Sequence, residues 1–294
     1  METAKSTKFA YFHAMVAVGL WSTVASAFKI TLRYLNHIQL LVFASVTSTA
    51  VLGLVLTLTG RWKGVTTSSR KDIVRSIGMG LLNPMLYYLV LFKAYALLPA
   101  QIALPLNYTW PIMLVLLSIP VLGQRIGWKS LMAIFISFCG VVVISTKGSF
   151  TGMGEFNPFG IVLALVSALI WATYWILNLK DKRDPVVKLF MNFVFGTVFV
   201  LIFSSTLGEI QKPPIQGVIG SIYVGLFEMG VTFIIWLKAL SLSKTTAQVS
   251  NLIYLTPFLS LIVIHLAVGE KILPSTVIGL ALIITGIALQ RLSS

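Results

Sequence analysis

Glu228 is the ionisable residue with the most unusual surroundings in this sequence of 294 residues. It lies in the run Gly225-Leu226-Phe227-Glu228-Met229-Gly230, about halfway through a long apolar stretch. Moving a carboxyl group into hydrocarbon costs free energy, so such a residue is a functional candidate. It could take up a proton, because apolar surroundings favour the neutral acid, or it could bind the ammonium group of a substrate. It could equally pair with a buried cation or hydroxyl and hold two helices together.

Asn83 aligns with Glu228 when the sequence is compared with itself at an offset of 145 residues, and it too lies within an apolar stretch. Aromatic side chains occur in the same stretches, and rings in a cavity wall suit apolar, aromatic or cationic solutes. Helix packing is the alternative role for each ring, whereas Trp236, beside Lys238, is typical of a membrane interface. The aromatic candidates for the wall of a substrate cavity are Trp21, Tyr87, Trp171, Tyr174 and Trp175.

Three prolines, Pro99, Pro105 and Pro111, recur at intervals of six residues in another apolar stretch. Each proline removes a backbone donor and frees a carbonyl group for water or substrate. The neighbouring polar side chains are therefore candidates for substrate binding, although hydrogen bonds between helices would also explain them. Together with the equivalent residues of a later stretch, these candidates are Gln101, Asn107, Tyr108, Trp110, Asn251 and Tyr254.

All of these residues lie in ten apolar stretches that short polar segments separate. Hydrophobic residues form 57% of the chain and charged residues 10%, whereas a soluble protein carries about 25% charged residues. A helix of about 20 apolar residues crosses the roughly 30 Å hydrocarbon layer. The sequence therefore predicts an all-α integral membrane protein with ten transmembrane helices, here called spans 1 to 10: 9–32, 37–59, 73–93, 99–121, 126–146, 158–179, 187–207, 216–237, 245–267 and 272–290.

The positive charges flank these spans and do not line one face of a soluble domain, so the net charge of +14 does not indicate nucleic-acid binding. If the N-terminus is cytoplasmic, 16 of the 22 lysines and arginines lie in cytoplasmic segments and 6 lie outside. Such an excess is typical of cytoplasmic segments. The distribution predicts a multi-pass protein of the cell's inner (plasma) membrane, with both termini in the cytoplasm.

An internal repeat divides the chain into residues 1–150 and 151–294. At an offset of 146 residues Pro111 aligns with Pro257 and Gly140 with Gly286, and Trp21 and Trp171 occupy matching places near the start of each half. Each half holds five spans, an odd number, so the two halves enter the membrane from opposite sides. Inverted repeats are the architecture of many secondary transporters, which bind substrate near the bilayer midplane and alternate between two conformations.

The repeat resembles the drug/metabolite transporter superfamily, in its ten-span form with paired EamA domains. In the first half the resemblance is carried by Leu97, Pro111, Gly123-Gln124-Arg125 and Gly140. In the second half it is carried by Leu242, Pro257, Gly269-Glu270-Lys271 and Gly286. One departure is Gln124, where the repeat's usual acid would stand, as Glu270 does in the second half.

The run from Asn107 to Pro111 also resembles the bacterial aromatic amino acid exporters of that superfamily. The resemblance implies a central cavity formed mainly by spans 1, 3, 4, 6, 8 and 9. It implies export of small metabolites by alternating access, with amino acids, including aromatic ones, as the leading substrate class. Proton coupling through Glu228 is a further hypothesis, and facilitated diffusion is its alternative.

The sequence contains no HExxH, GxSxG, P-loop or CxxC signature, so it predicts neither an enzyme nor a metal or organic cofactor. The competing functions are a lipid translocator and a non-transporting intramembrane binding or regulatory subunit. Small residues one heptad apart, Ala133 with Gly140 and Gly279 with Gly286, could seat a helix closely, either within the bundle or in a homodimer. The expected partners are the lipid bilayer and a small-molecule substrate.

Overall fold

A computed structural model describes residues 2–122, 127–148, 156–178, 180–209, 212–242 and 251–292. Every regular element in these ranges is helical. Up to residue 148 the helices are α1 (Glu2–Thr31), α2 (His37–Leu58), α3 (Trp62–Thr66), α4 (Arg70–Gly80), α5 (Tyr87–Leu97), α6 (Ala100–Asn107), α7 (Trp110–Leu122) and α8 (Trp128–Ser145).

The helices of the later part of the chain are α9 (Pro158–Asn178), α10 (Pro185–Thr206), α11 (Ile215–Phe227), α12 (Val231–Leu242), α13 (Thr256–Val263) and α14 (Pro274–Leu292). A π-helical segment, Leu81–Leu86, joins α4 to α5. A 3₁₀ segment, Asn251–Leu255, precedes α13, and a π-helical segment, Ile264–Val268, follows it.

Seven of the predicted spans coincide with helices that are long and apolar enough to cross a membrane: Lys8–Thr31, His37–Leu58, Arg70–Leu97, Ala100–Val121, Pro158–Asn178, Pro185–Thr206 and Ile215–Leu240. The other three coincide with shorter apolar helices, Leu131–Ser145, Leu252–Val268 and Pro274–Leu289. The all-α membrane class is therefore confirmed for the part of the chain that the structure describes.

The chain forms two compact units that do not follow its two sequence halves. Unit 1 comprises Met1–Met85 and Arg183–Val268, and unit 2 comprises Leu86–Lys182 and Gly269–Ser294. Each unit thus takes helices from both halves of the sequence. The division into 1–150 and 151–294 stays a prediction based on the repeat.

In unit 1, α1 packs against α11, α12 and α13, while α10 packs against both α2 and α4. Glycines allow two backbones to approach: a Cβ atom on Gly196 would lie 2.7 Å from the carbonyl oxygen of Gly80. Local signals start the helices, since the Ser69 hydroxyl accepts from the backbone of Asp72 and the Asp184 carboxylate accepts from the first turn of α10. These caps fix where α4 and α10 begin, and thereby the register of their close contact.

In unit 2, α8 and α14 meet through the small residues noted in the sequence. A Cβ atom on Gly140 would lie 2.5 Å from the carbonyl oxygen of Gly279. One on Gly286 would lie 2.5 Å from the carbonyl oxygen of Ala133. The small residues therefore allow two helices of this chain to pack closely. Of the two roles that the sequence leaves open, packing within the bundle or in a homodimer, this is packing within the bundle.

The contacts between α8 and α14 run in opposite directions along the two helices. Residue numbers rise along one helix as they fall along the other, in the pairs Gly140 with Gly279, Ser137 with Ile283, and Ala133 with Gly286. The two helices are consequently antiparallel.

Candidate functional site

Span 3 loses its helical geometry at Asn83, in the middle of its length. Asn83 has φ −149° and ψ 118°, values of an extended backbone, between α4 and α5. Pro84 follows and has no N–H to donate, so carbonyl groups of the preceding turn lose their usual partner. Asn83 is fully buried in unit 1.

Span 8 is interrupted at Glu228, the residue that aligns with Asn83 in the repeat. Helix α11 ends at Phe227, residues 228–230 form a turn, and α12 begins at Val231. The Ser48 hydroxyl donates to the carbonyl oxygen of Met229 at 3.0 Å, and the Thr232 hydroxyl donates to that of Phe227 at 2.5 Å. Glu228 is half-buried. The two polar residues that the sequence pairs therefore both lie in unit 1 and at breaks in their helices.

Span 4 also breaks, and span 9 changes its type of helix at the equivalent position. Helix α6 ends at Asn107, and α7 begins at Trp110 after a turn at residues 108–109. In span 9 the 3₁₀ segment passes into α13 at Thr256, and Tyr254 aligns with Tyr108 at the offset of 146. Tyr108, Trp110 and Tyr254 are half-buried. The Asn251 side chain lies outside the described residues.

Four of the predicted aromatic residues meet in unit 2, on α5 and α9. The rings of Tyr87 and Trp171 stack with their centroids 4.5 Å apart, and Trp171 stacks on Tyr174 at 5.7 Å. Trp175 meets Trp171 edge to face at 5.8 Å. We call Tyr87, Trp171, Tyr174 and Trp175 the ring cluster. Trp171 and Tyr174 lie one turn apart on α9, so one face of that helix supplies most of it.

A chain of buried hydrogen bonds adjoins the ring cluster. The Tyr87 hydroxyl donates to Asn107 Oδ1 at 3.3 Å, and Asn107 Nδ2 donates to Ser167 Oγ at 2.9 Å. The Ser167 hydroxyl donates in turn to the carbonyl oxygen of Ala164 at 2.7 Å. These bonds join α5, α6 and α9. Ser167 was not a sequence candidate, although it lies one helical turn before Trp171 and on the same face.

Trp21 lies in unit 1 and has its own aromatic partners on α12. Its ring meets Phe233 edge to face at 5.6 Å and Trp236 in a tilted arrangement, also at 5.6 Å. Trp236, which the sequence places at a membrane interface, therefore packs on another ring of the bundle. The Trp21–Phe233 contact in unit 1 resembles the Trp171–Tyr87 contact in unit 2. The first joins α1 to α12, which follows the break at Glu228, and the second joins α9 to α5, which follows the break at Asn83.

The structure adds a polar contact that the sequence does not indicate. The hydroxyl groups of Thr23 and Tyr223 lie 2.7 Å apart, so α1 and α11 share a hydrogen bond. Tyr223 also packs on Phe227, just before the break at Glu228. Its position five residues before Glu228 was the available hint, but its partner is 200 residues away.

Gln101 lies apart from the ring cluster, at the start of α6. The Glu270 carboxylate accepts from the backbone N–H groups of Ala100 and Gln101 at 2.8 and 3.1 Å. The Gln101 side chain donates to the carbonyl oxygen of Lys271 and accepts from the N–H of Leu273, both at 2.8 Å. Glu270 thus caps α6, while Gln101 holds the segment before α14. Gln124, which aligns with Glu270, lies outside the described residues.

The fold and these residues define a class: an integral membrane bundle with interrupted helices and polar groups inside the apolar layer. In the part of the chain that the structure describes, no group of His, Cys, Asp and Glu side chains could hold a metal ion. The chain belongs to the EamA-like transporter family of the drug/metabolite transporter superfamily. The profile of this family matches residues 8–146 and, separately, residues 158–291.

Similar proteins also carry transporter names. An uncharacterized transporter of Archaeoglobus fulgidus is 24% identical over 92% of this chain and 95% of its own length. A second one from that organism is 29% identical, and its alignment covers 55% of this chain and 57% of the relative. A probable terminal-alkyne amino-acid exporter of Streptantibioticus cattleyicolor is 25% identical over 77% of this chain and 75% of that protein.

A solved crystal structure has the same fold. It covers 97% of this chain and 99% of its own, with a TM-score of 0.65 and 23% identity. Family and relatives together indicate a membrane transporter of small molecules rather than an enzyme.

Proposed function

We propose that the protein exports amino acids or similar small metabolites by alternating access. It works as a secondary transporter in the cell's inner (plasma) membrane, with both termini in the cytoplasm. The observation that carries the substrate class is the ring cluster with its adjoining Asn107, four packed aromatic rings beside one buried amide. The name of the Streptantibioticus relative, which describes an amino-acid exporter, favours the same class.

The ring cluster suits a solute with an apolar or aromatic end. Tyr87, Trp171 and Tyr174 stack nearly parallel, with interplanar angles of 27° and 21°, and all three are buried in this conformation. Under this proposal, movement of the helices opens their faces to the solute, and such faces favour a further ring or a cation. The indole nitrogen of Trp175 is buried without a hydrogen-bond acceptor. An acceptor atom of a solute would supply the missing partner.

The directions of helix contacts support ten alternating crossings. Spans 2 and 8 run parallel, because Thr47 meets Gly225 and Val51 meets Gly230. Spans 2 and 7 run antiparallel, because Thr49 bonds Thr197 while Gly53 meets Phe190. Ten successive crossings require parallel contacts between two even-numbered spans and antiparallel contacts between an even and an odd span, as found here.

An inverted repeat is supported by α8 and α14. These helices end the two halves and align with each other at the offset of 146, yet their contacts run in opposite directions. Under this proposal the two halves are inverted copies, and exchange of their conformations opens a central site to either side of the membrane.

The interrupted helices supply the moving parts of this proposal. Breaks at Asn83 and Glu228 occur at equivalent places in the two halves, and the break at Tyr108 is matched by the change from 3₁₀ to α-helix after Tyr254. Unwound backbone in a membrane protein is tolerated where it lines a cavity or is covered by protein. Rotation at such breaks costs few helical hydrogen bonds. Glu228, at one break, is the group proposed to take up and release the coupling proton.

A flux screen in reconstituted liposomes tests the proposal. Purified protein is offered amino acids, nucleosides, polyamines and sugars, each with and without a pH gradient. Selective movement of amino acids is expected, and aromatic ones should be favoured by the ring cluster. Movement of another class alone, or of lipid analogues alone, would replace the proposed substrate.

A further inference from the structure

Among the described asparagines of the candidate site, Asn83 differs in being buried without any hydrogen bond from its side chain. It has no exposed surface, and neither its amide oxygen nor its amide nitrogen has a hydrogen-bond partner. Asn107, by contrast, uses both amide atoms in bonds to Tyr87 and Ser167. An unsatisfied buried polar group costs about 1–3 kcal/mol. The conformation seen here therefore carries an energetic penalty at Asn83 that a suitable partner would remove.

The backbone on both sides of Asn83 is held against α10. The residues around Asn83 pack backbone to backbone on α10: a Cβ atom on Gly196 would meet Pro84 and lie 2.7 Å from the carbonyl oxygen of Gly80. A Cβ atom on Gly80 would likewise lie 2.7 Å from the backbone nitrogen of Gly196. None of the protein groups in this close contact hydrogen-bonds the Asn83 side chain. The amide is occluded in this conformation, so its partner arrives when the region opens.

The break in span 3 gives Asn83 the freedom to meet such a partner. Its extended backbone interrupts the helix, so the residue can turn without breaking a regular helical ladder. The repeat-equivalent Glu228 also ends a helix. The orphaned amide is therefore located where the proposed transport cycle requires motion.

We infer that Asn83 binds the zwitterionic end of an α-amino acid and is a specificity-determining residue of the carrier. This inference rests on the proposed function and names the part of the solute that is recognised. An amide offers one acceptor oxygen beside two donor hydrogens, and an α-amino carboxylate presents an N–H donor beside acceptor oxygens. A solute with only an amine or only a carboxylate leaves half of the amide unpaired, and sites of this kind reject such analogues strongly.

The test uses three solutes that share one aromatic end: phenylalanine, phenethylamine and 3-phenylpropionate. Binding is measured by the rise in the unfolding temperature of the purified protein on adding each solute. Wild-type protein should be stabilised by phenylalanine at concentrations at least ~10-fold below those needed for either analogue. Asn83→Leu, of similar size without the amide, should lose this preference and require at least ~10-fold more phenylalanine.

A second measurement separates recognition from a fault in folding. Without solute, Asn83→Leu should unfold at or above the wild-type temperature, because it removes an unsatisfied group. Asn107→Leu should unfold at a lower temperature, because it breaks two bonds and leaves their partners unpaired. Asn83→Ala repeats the comparison if the leucine variant does not insert into the membrane.

The outcomes distinguish this inference from the function on which it rests. If Asn83→Leu keeps the preference for phenylalanine over both analogues, the role of Asn83 is overturned while amino-acid transport stands. If wild-type protein responds to no amino acid in the binding and flux measurements, both claims are overturned. Loss of the preference in Asn83→Leu, with unchanged or raised thermal stability, supports the inference.

Discussion

At the scale of single residues, polar side chains that look equivalent in the sequence differ in the hydrogen bonds that they make in the structure. Asn83, Gln101 and Asn107 are all polar residues in apolar stretches, and sequence alone predicts one role for all three. In the structure Gln101 joins two chain segments, Asn107 bonds through both of its amide atoms, and Asn83 has no partner. Their partners lie up to 175 residues away, so no local pattern could distinguish them.

Replacement of Ser167 tests whether the bonds beside the ring cluster stabilise the fold. Ser167→Ala removes the acceptor of Asn107 Nδ2 and leaves that donor buried, so stability should fall by about 1–3 kcal/mol. Ser145→Ala is the matched control, because the Ser145 hydroxyl is buried without a partner. Thermal unfolding of the detergent-purified variants should show a lower midpoint for Ser167→Ala only. Equal midpoints would mean that the Asn107–Ser167 bond contributes nothing.

Replacement of Glu228 tests the proposed proton coupling. Glu228→Gln keeps the shape and polarity of the side chain but cannot exchange a proton, so a pH gradient should no longer accelerate transport. Exchange of labelled for unlabelled solute, which needs no net proton movement, should continue. The assay is liposome flux with and without an imposed gradient.

Glu270→Gln serves as the control for the Glu228 variant, because Glu270 is committed to the cap of α6. It should keep the response to the gradient, even if the protein is less stable. Full gradient-driven transport by Glu228→Gln would exclude coupling through this residue and leave facilitated diffusion as the simpler account.

At the scale of helices, sequence periodicity and composition predict where the elements lie but only some of their breaks. Prolines mark the break in span 4, since Pro99 precedes α6 and Pro111 is the second residue of α7. Span 8 breaks at Glu228 without any proline, and Ser48 and Thr232 bond the carbonyl groups there. One of these bonds comes from Ser48 on α2, and such a long-range contact cannot be predicted from the local sequence around Glu228.

The contact between α8 and α14 gives a prediction at this scale. Gly140→Val places side-chain atoms where the backbone of Gly279 lies, so the helices must separate, with a cost of about 1–3 kcal/mol or more. Gly19→Ala is the control, since nothing lies within 4 Å of a Cβ atom there. That change should instead raise stability by about 0.5–1 kcal/mol, because alanine favours the interior of a helix.

Thermal unfolding of the Gly140→Val and Gly19→Ala variants decides the role of the glycine contact. Opposite shifts of the midpoint would show that close packing of α8 on α14 supports unit 2. A Gly140→Val protein as stable as wild type would show that the two helices separate without penalty.

At the scale of the whole molecule, two independent patterns support the proposed topology. Positive charge follows the parity of the spans, with 16 of 22 basic residues on one predicted side. The directions of helix contacts follow the same parity, although they depend on packing and not on charge. The sequence could predict the first pattern from composition alone. The second required coordinates, because the direction of a contact depends on which residues meet.

Cysteine labelling tests this topology directly in intact cells. The background variant is Cys139→Ser, which removes the chain's single cysteine. Lys63→Cys lies between spans 2 and 3 and Lys212→Cys between spans 7 and 8, and both native side chains are exposed. A membrane-impermeant thiol reagent should label residue 212 from outside and residue 63 only after the membrane is opened, because cation-rich segments of membrane proteins usually face the cytoplasm. Labelling of both positions from one side would require an even number of crossings between them, in place of the five that the ten-span arrangement contains, and would remove the basis for inverted halves.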